Sequence, residues 1–267
     1  MGQMLAVVTG ASSGIGFELA KDLGRRGYDL IVASAGERLT SAAEELRASG
    51  AQVTEVQVDL AKRDGPETLW NQILEMGRPL DVACINAGVG VGGLFRDTSL
   101  DEELNMVDLN CASTVQLAKY VVRHMTDRNA GRILFTASIA GEMVAPREAV
   151  YAATKAFVLS FAHSVRYELK DTNVSVTALQ PGPTDTDFFH RAGMDDTEVG
   201  QKGKLDSSPA DVARQGLDAL MDGKDHVYSA SMKTKMEGML ANVTPGSVKA
   251  AMHEKMATPQ DEKKASQ

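Results

Sequence analysis

Tyr151 and Lys155 are the residues whose types and spacing point most directly to acid–base chemistry. They lie four positions apart in the stretch VYAATKAF, so on a helix their head groups reach the same point. Carbonyl reduction needs a proton donor and alcohol oxidation needs a base, and a free tyrosine is a weak base at pH 7. An ammonium group about 4 Å away contributes roughly 4 kcal/mol at an effective dielectric constant of about 20, which corresponds to about three pKa units. The alternative interpretation is an exposed tyrosine beside a solvated lysine.

A glycine-rich turn follows the first apolar run of the sequence. In VVTGASSGIG, Gly10, Gly14 and Gly16 come directly before a helical pattern. Glycine allows a tight turn and a close approach of the backbone to a ligand, and a helix N-terminus offers unpaired N–H groups to a pyrophosphate. Ser12 and Ser13 add hydroxyl donors. Any tight strand–helix turn favours glycine, but the position after a first strand favours a dinucleotide site.

Short apolar runs that alternate with longer helical patterns must position these residues. The runs begin at Leu5, Asp29, Gln52, Asp81, Gly131, Val174 and Asp225, and the helical patterns cover residues 14–26, 37–49, 63–76, 101–128, 150–170 and 209–221. This alternation predicts an α/β fold with a doubly wound parallel sheet of about seven strands in three layers. In such a fold, ligands bind outside the carboxyl ends of the strands.

The pattern predicts one catalytic and nucleotide-binding domain over residues 1–230, followed by a methionine-rich extension over residues 231–267. Within the domain, the long polar segment 185–208 is typical of a substrate-binding loop. The extension is expected to form two short helices that separate near Pro245 and to end in a frayed tail. Core packing is the favoured role of its methionines, and an adaptable surface at a subunit contact or the substrate mouth is the alternative.

Composition argues against several classes of protein. The chain has 267 residues, 43% of them hydrophobic, and a net charge of −8 without any run of basic residues, so we expect no nucleic-acid partner. Cys84 and Cys111 do not have the spacing of metal ligands and the histidines form no ligand pair, so we expect no metal site. Without a leader pattern or 18 successive apolar residues, we expect a cytoplasmic protein that does not enter a membrane.

Several motifs, in order along the chain, resemble the single-domain branch of the short-chain dehydrogenase/reductase family. They are TGASSGIG at 9–16, NAG at 86–88, Asn110, Ser138, YAATK at 151–155 and PG at 181–182. The resemblance covers roughly residues 4–230. It implies a Rossmann fold that binds a nicotinamide dinucleotide, hydride transfer at a small-molecule carbonyl or alcohol, and a homodimer or homotetramer.

The same resemblance implies a catalytic set. Tyr151 is the acid or base, and Lys155 lowers its pKa while also binding the nicotinamide ribose. Ser138, which ends a predicted strand, orients the substrate oxygen beside Tyr151. Asn110 anchors a water molecule that continues a proton relay from Lys155.

The glycine-rich turn and the family resemblance together give the candidate cofactor-binding residues. These are Gly10, Ser12, Ser13, Gly14, Ile15, Gly16, Ser34, Arg38, Asp59, Leu60, Asn86, Ala87, Gly88, Tyr151, Lys155, Pro181, Gly182, Thr184 and Thr186. Ser34 ends the second strand, where an acidic residue would bind the adenosine ribose and repel a 2′-phosphate. With Arg38 close behind it, the sequence favours NADP(H) over NAD(H). NAD(H) stays open, because relatives that prefer NADP often carry a basic residue where this chain has Ser13 or Ser34.

The expected substrate walls are residues 140–144, residues 89–95 and the 185–208 loop. Phe188, Phe189 and Met194 make this loop partly apolar, so an apolar substrate is expected, although these side chains are equally suited to packing on the core.

The leading functional hypothesis is an NAD(P)(H)-dependent oxidoreductase acting on a carbonyl or secondary alcohol. The alternative is a nucleotide-sensing or scaffold protein that keeps the fold without catalysis. An epimerase or dehydratase of the longer family branch is a third possibility, and the glycine spacing argues against it.

Overall fold

A seven-stranded parallel sheet forms the centre of the computed structural model, which describes residues 3–198, 200–201, 208–229 and 246–265. Its strand order is β3-β2-β1-β4-β5-β6-β7, and every neighbouring pair is parallel. The strands are β1 (Leu5–Thr9), β2 (Asp29–Ser34), β3 (Val53–Gln57), β4 (Val82–Ile85), β5 (Gly131–Thr136), β6 (Val174–Pro181) and β7 (His226–Ser229). The predicted doubly wound α/β fold is therefore confirmed.

Helices follow the strands where the sequence pattern predicts them. Their bounds are α1 (Gly14–Arg25), α2 (Arg38–Ala48), α3 (Gly65–Glu75), α4 (Leu100–Val107), α5 (Ser113–Asp127), α6 (Ala149–Glu168), α7 (Phe188–Arg191), α8 (Pro209–Met221), α9 (Gly246–Ala257) and α10 (Gln260–Ala265). Apart from the interruption of the 101–128 segment, the six predicted segments differ from these bounds by at most two residues at each end, which is the usual uncertainty of a helix terminus.

Both faces of the sheet are covered, which explains why the central strands β1 and β4 are apolar at nearly every position. In β1, Leu5 and Val7 face one core with Leu117 of α5, while Ala6 and Val8 face another core that includes α1 and α8. Alternate residues of a strand point to opposite faces, so a strand between two layers of helices has no solvent-facing side.

The predicted long helix at 101–128 is interrupted. A π-helical turn over Asp108–Ala112 separates α4 from α5. The hydroxyl of Ser113 donates to the Leu109 carbonyl at 2.5 Å, and that of Thr114 donates to the Asn110 carbonyl at 2.8 Å. Hydroxyl groups that bond the preceding turn compete with the helical ladder, and such single wide turns are common at functional sites. The sequence pattern alone did not reveal this interruption.

The two segments that the sequence set apart are described only in part. The 185–208 loop contains α7, and residues 199 and 202–207 lie outside the described residues. The second helix predicted for the C-terminal extension corresponds to α9, which begins at Gly246. The first falls within residues 230–245, which lie outside the described residues, as does the end of the predicted tail.

Among the helices that the structure describes, none combines the length and the apolar composition needed to cross a lipid bilayer.

Candidate active site

The carboxyl ends of the central strands open onto a cavity of about 920 Å³. It lies where β1 pairs with β2 on one side and β4 on the other, the point at which the strand order reverses. Every candidate cofactor-binding residue from the sequence lines this cavity, as does Ser138. Asn110 does not line it and lies buried behind it.

The glycine-rich turn brings backbone close to backbone at the floor of the cavity. A Cβ atom on Gly16 would lie 2.2 Å from the Gly10 carbonyl oxygen, so position 16 accepts only glycine in this arrangement. Ser13 precedes α1 without capping it through its side chain, so the first N–H groups of the helix keep their hydrogen-bonding capacity. This cradle suits the pyrophosphate of a dinucleotide.

Two contacts mark the side of the cavity where the sequence places the adenosine. The hydroxyl oxygens of Ser12 and Ser34 lie 3.0 Å apart at the carboxyl ends of β1 and β2. Arg38, at the start of α2, donates a hydrogen bond to the Asp187 carboxylate from the 185–208 loop, and this guanidinium lowers the Asp187 pKa. Both side chains of this pair are well exposed. Arg38 therefore has a protein anion as its partner in the absence of a ligand.

Asn86 connects three strands beneath the cavity. Its side-chain amide donates to the Thr9 carbonyl of β1 at 3.0 Å and accepts from the Thr136 hydroxyl of β5 at 2.9 Å. The Thr9 hydroxyl accepts from the backbone N–H groups of Asn86 and Ala87. Asn86 thus fixes the turn after β4. Asp59, which also lines the cavity, accepts a hydrogen bond from the Ala61 N–H.

Residues after β6 form the opposite wall. Pro181 ends the strand, and the Gly182 N–H donates to the Ser229 carbonyl of β7 at 3.1 Å. The Thr184 hydroxyl donates to the Gly182 carbonyl at 2.8 Å, while the Thr186 hydroxyl accepts from the Phe188 N–H at 3.3 Å. These bonds hold the start of the loop against the sheet.

Lys155 carries its ammonium group into the protein interior. Its Nζ donates to the Thr136 carbonyl at 2.9 Å and lies 5.8 Å from the centroid of the Tyr151 ring. Burial lowers the pKa of Lys155 to about 8, because the charged form loses its hydration.

The expectation that Lys155 brings the pKa of Tyr151 toward neutrality does not hold for the protein without a ligand. Burial raises the Tyr151 pKa well above its usual value, the Glu148 carboxylate raises it further, and interaction with the Ser138 hydroxyl acts in the opposite direction. Desolvation therefore outweighs the nearby charge. The phenol is protonated at neutral pH and is ready to act as an acid.

Ser138 is held beside Tyr151 by a tight turn. It precedes a 3₁₀ turn over Ile139–Glu142, and its Oγ accepts from the Ala140 N–H at 3.1 Å. A Cβ atom on Gly141 would lie 2.8 Å from the Lys155 carbonyl oxygen, so the turn sits directly on the backbone of α6. This contact fixes the distance between Ser138 and the helix that carries the acid.

Asn110 projects from the π-helical turn into a set of fixed hydrogen bonds. Its Nδ2 donates to the Val89 carbonyl and to the Thr154 hydroxyl, both at 3.0 Å, and its Oδ1 accepts from the Val89 N–H. The side chain thus joins the segment after β4 to α6. The predicted anchoring of a water molecule by Asn110 stays a prediction.

The substrate walls differ from those expected. Val89, Ala140, Met143, Phe188 and Phe189 line the cavity as predicted, and the Tyr151 and Phe188 ring centroids are 5.1 Å apart. The predicted wall residues Gly141, Glu142, Val144, Met194 and 90–95 do not line it.

Three of these differences have clear physical reasons. Glu142 instead accepts from the Gln180 amide at 2.6 Å and from the Tyr228 hydroxyl. Val144 faces solvent, and Met194 is buried behind the loop with Ala257.

Several cavity residues were not identified as site residues from the sequence, and four of them lie just before α6 or on α9. Glu148 comes directly before α6, and Met252, His253 and Met256 come from α9. The methionine-rich pattern was the one available signal, since it allowed a role at the substrate mouth. Nothing in the pattern showed that α9 folds back onto this cavity.

Within the part of the chain that the structure describes, no three histidine, cysteine, aspartate or glutamate side chains form a group able to bind a metal ion.

The variant Lys155→Met is expected to gain stability relative to wild type at about pH 7 and to lose that gain near pH 10. The buried ammonium destabilises the fold while it is charged, below the folded pKa of about 8, and this cost disappears as the pH rises toward the ordinary value of 10.5. At about 1.4 kcal/mol per pKa unit, the stability difference should shrink by a few kcal/mol. Urea unfolding without cofactor measures it, with the exposed Lys62→Met as control. A difference that does not change with pH would contradict the assignment.

The variant Gly141→Ala is expected to reduce turnover by about tenfold or more, because the added methyl displaces Ser138 from α6. Affinity for the dinucleotide should stay near the wild-type value, since the glycine-rich turn is not affected. The matched control is Gly36→Ala, whose added methyl meets no atom within 4 Å. Steady-state kinetics and cofactor titration separate the two effects, and wild-type turnover in Gly141→Ala would refute the positioning role.

Comparisons with known proteins agree with this geometry. The family described as short chain dehydrogenase matches residues 4–197. The chain is 34% identical over 230 residues to 1-deoxy-11-beta-hydroxypentalenate dehydrogenase of Streptomyces exfoliatus, covering 85% of this chain and 82% of the relative. A solved structure, a short-chain dehydrogenase from Sphingobium yanoikuyae in complex with NADPH, superimposes with a TM-score of 0.78 at 27% identity and covers 84% of this chain and 87% of that chain.

A further relative is much longer than this chain. Glycine betaine reductase ATRR of Emericella nidulans is 35% identical over 223 residues, which are 81% of this chain but 17% of the relative. The likeness therefore concerns one part of that protein.

Proposed function

Since this chain belongs to the short-chain dehydrogenase family and is thus an NAD(P)-dependent oxidoreductase, we propose that it transfers a hydride between NADP(H) and a carbonyl or secondary alcohol, with Tyr151 as acid or base. One observation carries the proposal. Tyr151, Ser138 and the buried Lys155 line one cavity whose floor is the glycine-rich turn. A bound nicotinamide supplies the hydride donor or acceptor.

The residues of the chain provide the proton and the orientation. Tyr151, with its raised pKa, keeps its proton at neutral pH and donates it to the carbonyl oxygen of a substrate. The hydroxyl of Ser138 donates a hydrogen bond to the same oxygen and fixes it beside the phenol. For alcohol oxidation Tyr151 must first lose its proton, which a positive charge close to the ring favours.

Lys155 and Asn110 support this exchange. With a pKa of about 8, Lys155 is mostly charged at neutral pH, and it binds the ribose of the cofactor in this proposal. Asn110 keeps the segment after β4 fixed against α6, next to Gly88, where a Cβ would meet both Asn110 Oδ1 and Lys155 Nζ. Replenishment of the Tyr151 proton through a water held by Asn110 is part of the proposal.

A preference for NADP(H) over NAD(H) is supported by the residues at the end of β2 and at the start of α2. Ser34 places no negative charge at the adenosine ribose, and Arg38 lines the cavity nearby. A guanidinium that is paired with a carboxylate is well suited to a phosphate instead.

The relative from Streptomyces exfoliatus is named for a hydroxylated pentalenate. Together with the apolar walls formed by Met143, Phe188 and Phe189, this supports a substrate whose reacting group sits on an apolar skeleton. We also propose residues 1–230 as the catalytic domain, a cytoplasmic location, and a homodimer or homotetramer. Exposed apolar side chains at Leu104, Val107 and Phe157 on α4 and α6 support the assembly, which light scattering would test.

The variant Tyr151→Phe is expected to lower turnover by at least about 100-fold, because general acid–base catalysis contributes on that scale. Its affinity for NADPH should change far less than its turnover. The control is Tyr167→Phe, an exposed tyrosine on the same helix. Oxidation of NADPH in the presence of a panel of ketones is the measurement. Wild-type turnover by Tyr151→Phe would refute the acid role, and NADPH binding without oxidation by the wild type would indicate a nucleotide sensor or scaffold.

The variant Arg38→Ala is expected to weaken NADPH binding by about tenfold or more, since a hydrogen bond to a charged group contributes about 1.5–3 kcal/mol. NADH binding should change little. Conversely, Asp187→Asn should strengthen NADPH binding, because Arg38 loses its protein partner. Fluorescence titration with both cofactors tests these changes, with Arg63→Ala as an exposed control outside the cavity. Equal weakening for both cofactors in Arg38→Ala would argue against NADP(H) selectivity.

A further inference from the structure

The C-terminal segment forms one wall of the catalytic cavity. Met252, His253 and Met256 of α9 line the same space as Tyr151 and Ser138. This segment follows all seven strands, and its described residues, 246–265, pair with none of them. It contributes to the half of the cavity away from the glycine-rich turn, where we place the substrate.

The segment is attached to the parts of the site that face the substrate. The Arg147 guanidinium, just before α6, pairs with Glu262 of α10 at 2.5 Å. The Gln260 N–H donates to the Asp196 carbonyl at 3.0 Å, and Ala257 packs against the 185–208 loop with Ala192 and Met194. The position of α9 is thus fixed from two sides.

His253 is the polar residue of this wall, and its environment is unusual. The residue is only 4% exposed, and its Nε2 lies 2.9 Å from Oε2 of the equally buried Glu148. The two atoms are not aligned for a hydrogen bond, and Nε2 has no other aligned partner in the described part of the chain. A buried polar group without a hydrogen bond destabilises the folded protein. Such a group in a native site calls for a partner that enters the cavity.

We propose that His253 binds the substrate through a second polar group, distant from the reacting carbon, and that Glu148 holds the imidazole in place. A hydroxyl is the group that fits, because it donates to a neutral ring nitrogen and accepts from a protonated one. Met143, Phe188, Phe189, Met252 and Met256 supply apolar surface to the same cavity. The substrate class is therefore a ketone or secondary alcohol on an apolar skeleton that carries an additional hydroxyl group.

This inference rests on the proposed oxidoreductase function and adds a determinant of specificity to it. A pocket with a buried polar group discriminates against a substrate analogue that lacks the matching group, because the buried group is then left without a hydrogen bond. We therefore expect the hydroxyl of the substrate to improve kcat/KM more than its small effect on size would suggest.

The test compares matched ketones with NADPH. The probes are phenylcyclohexanone against its para-hydroxyphenyl counterpart, and tetralone against hydroxytetralone. Wild type should prefer the hydroxylated member of at least one pair by about tenfold in kcat/KM. In His253→Phe, which keeps an aromatic ring without ring nitrogens, this ratio should fall to about one. The affinity for NADPH should change less than about twofold, and the kcat/KM for the unsubstituted ketone should fall less than that for the hydroxylated one.

Two further variants make the outcome specific. Val248→Ala changes an exposed position on the same helix and should keep the wild-type ratio. His253→Asn retains a hydrogen-bonding side chain and should give an intermediate ratio. A wild-type ratio in His253→Phe, or no hydroxyl preference in wild type with either pair, would overturn the role of His253. Loss of NADPH affinity in both His253 variants would overturn it in favour of a structural role.

The outcomes also separate this inference from the function on which it rests. NADPH oxidation by wild type without any hydroxyl preference contradicts the role of His253 and leaves the oxidoreductase function intact. If the wild type oxidises no NADPH with any of the four ketones, this result contradicts both the role of His253 and the oxidoreductase function.

Discussion

The burial of the Lys155 ammonium beside Tyr151 is the constraint on which the rest of the site depends. A buried cation is costly unless polar groups surround it, and here the Thr136 carbonyl at the end of β5 accepts its hydrogen bond. That bond requires β5 and α6 to keep their relative positions. The sheet, the two apolar layers and the turn at Gly141 keep β5 and α6 in these positions. The lowered pKa of Lys155 shows that burial destabilises its charged form.

The same constraint explains why the acid of the site differs from the simple expectation. Removing water strengthens the effect of a nearby charge, but it also penalises the ionised form of the phenol directly. Without a ligand the second effect is larger at Tyr151, and Glu148 adds to it. The chain thus holds a strongly protonated phenol beside a cation with a depressed pKa. This arrangement favours donation of a proton by Tyr151 as long as no further positive charge lies close to its ring.

Local patterns in the sequence were sufficient for the fold and for the residues that line the cavity around the glycine-rich turn. The strands are continuous apolar runs and the glycine-rich turn follows the first of them, so period and position alone predicted which residues converge. The substrate half depends on long-range packing. The π-helical turn at Asn110 arises from hydroxyl–carbonyl bonds inside a helical pattern, and Glu142 bonds Gln180 instead of facing the cavity. The return of His253 to Glu148 joins positions more than 100 residues apart, which no local pattern encodes.

The attachment of α9 has a consequence for how such a protein diverges in evolution. The wall at Met252, His253 and Met256 is encoded after the last strand, and its anchors at Arg147 and Asp196 lie in connections instead of strands. Exchange of residues in the segment after β7 alters the chamber while leaving the strand register and the glycine-rich turn untouched. Descendants of one ancestral gene can therefore acquire new substrates through changes in this segment, with little burden on folding.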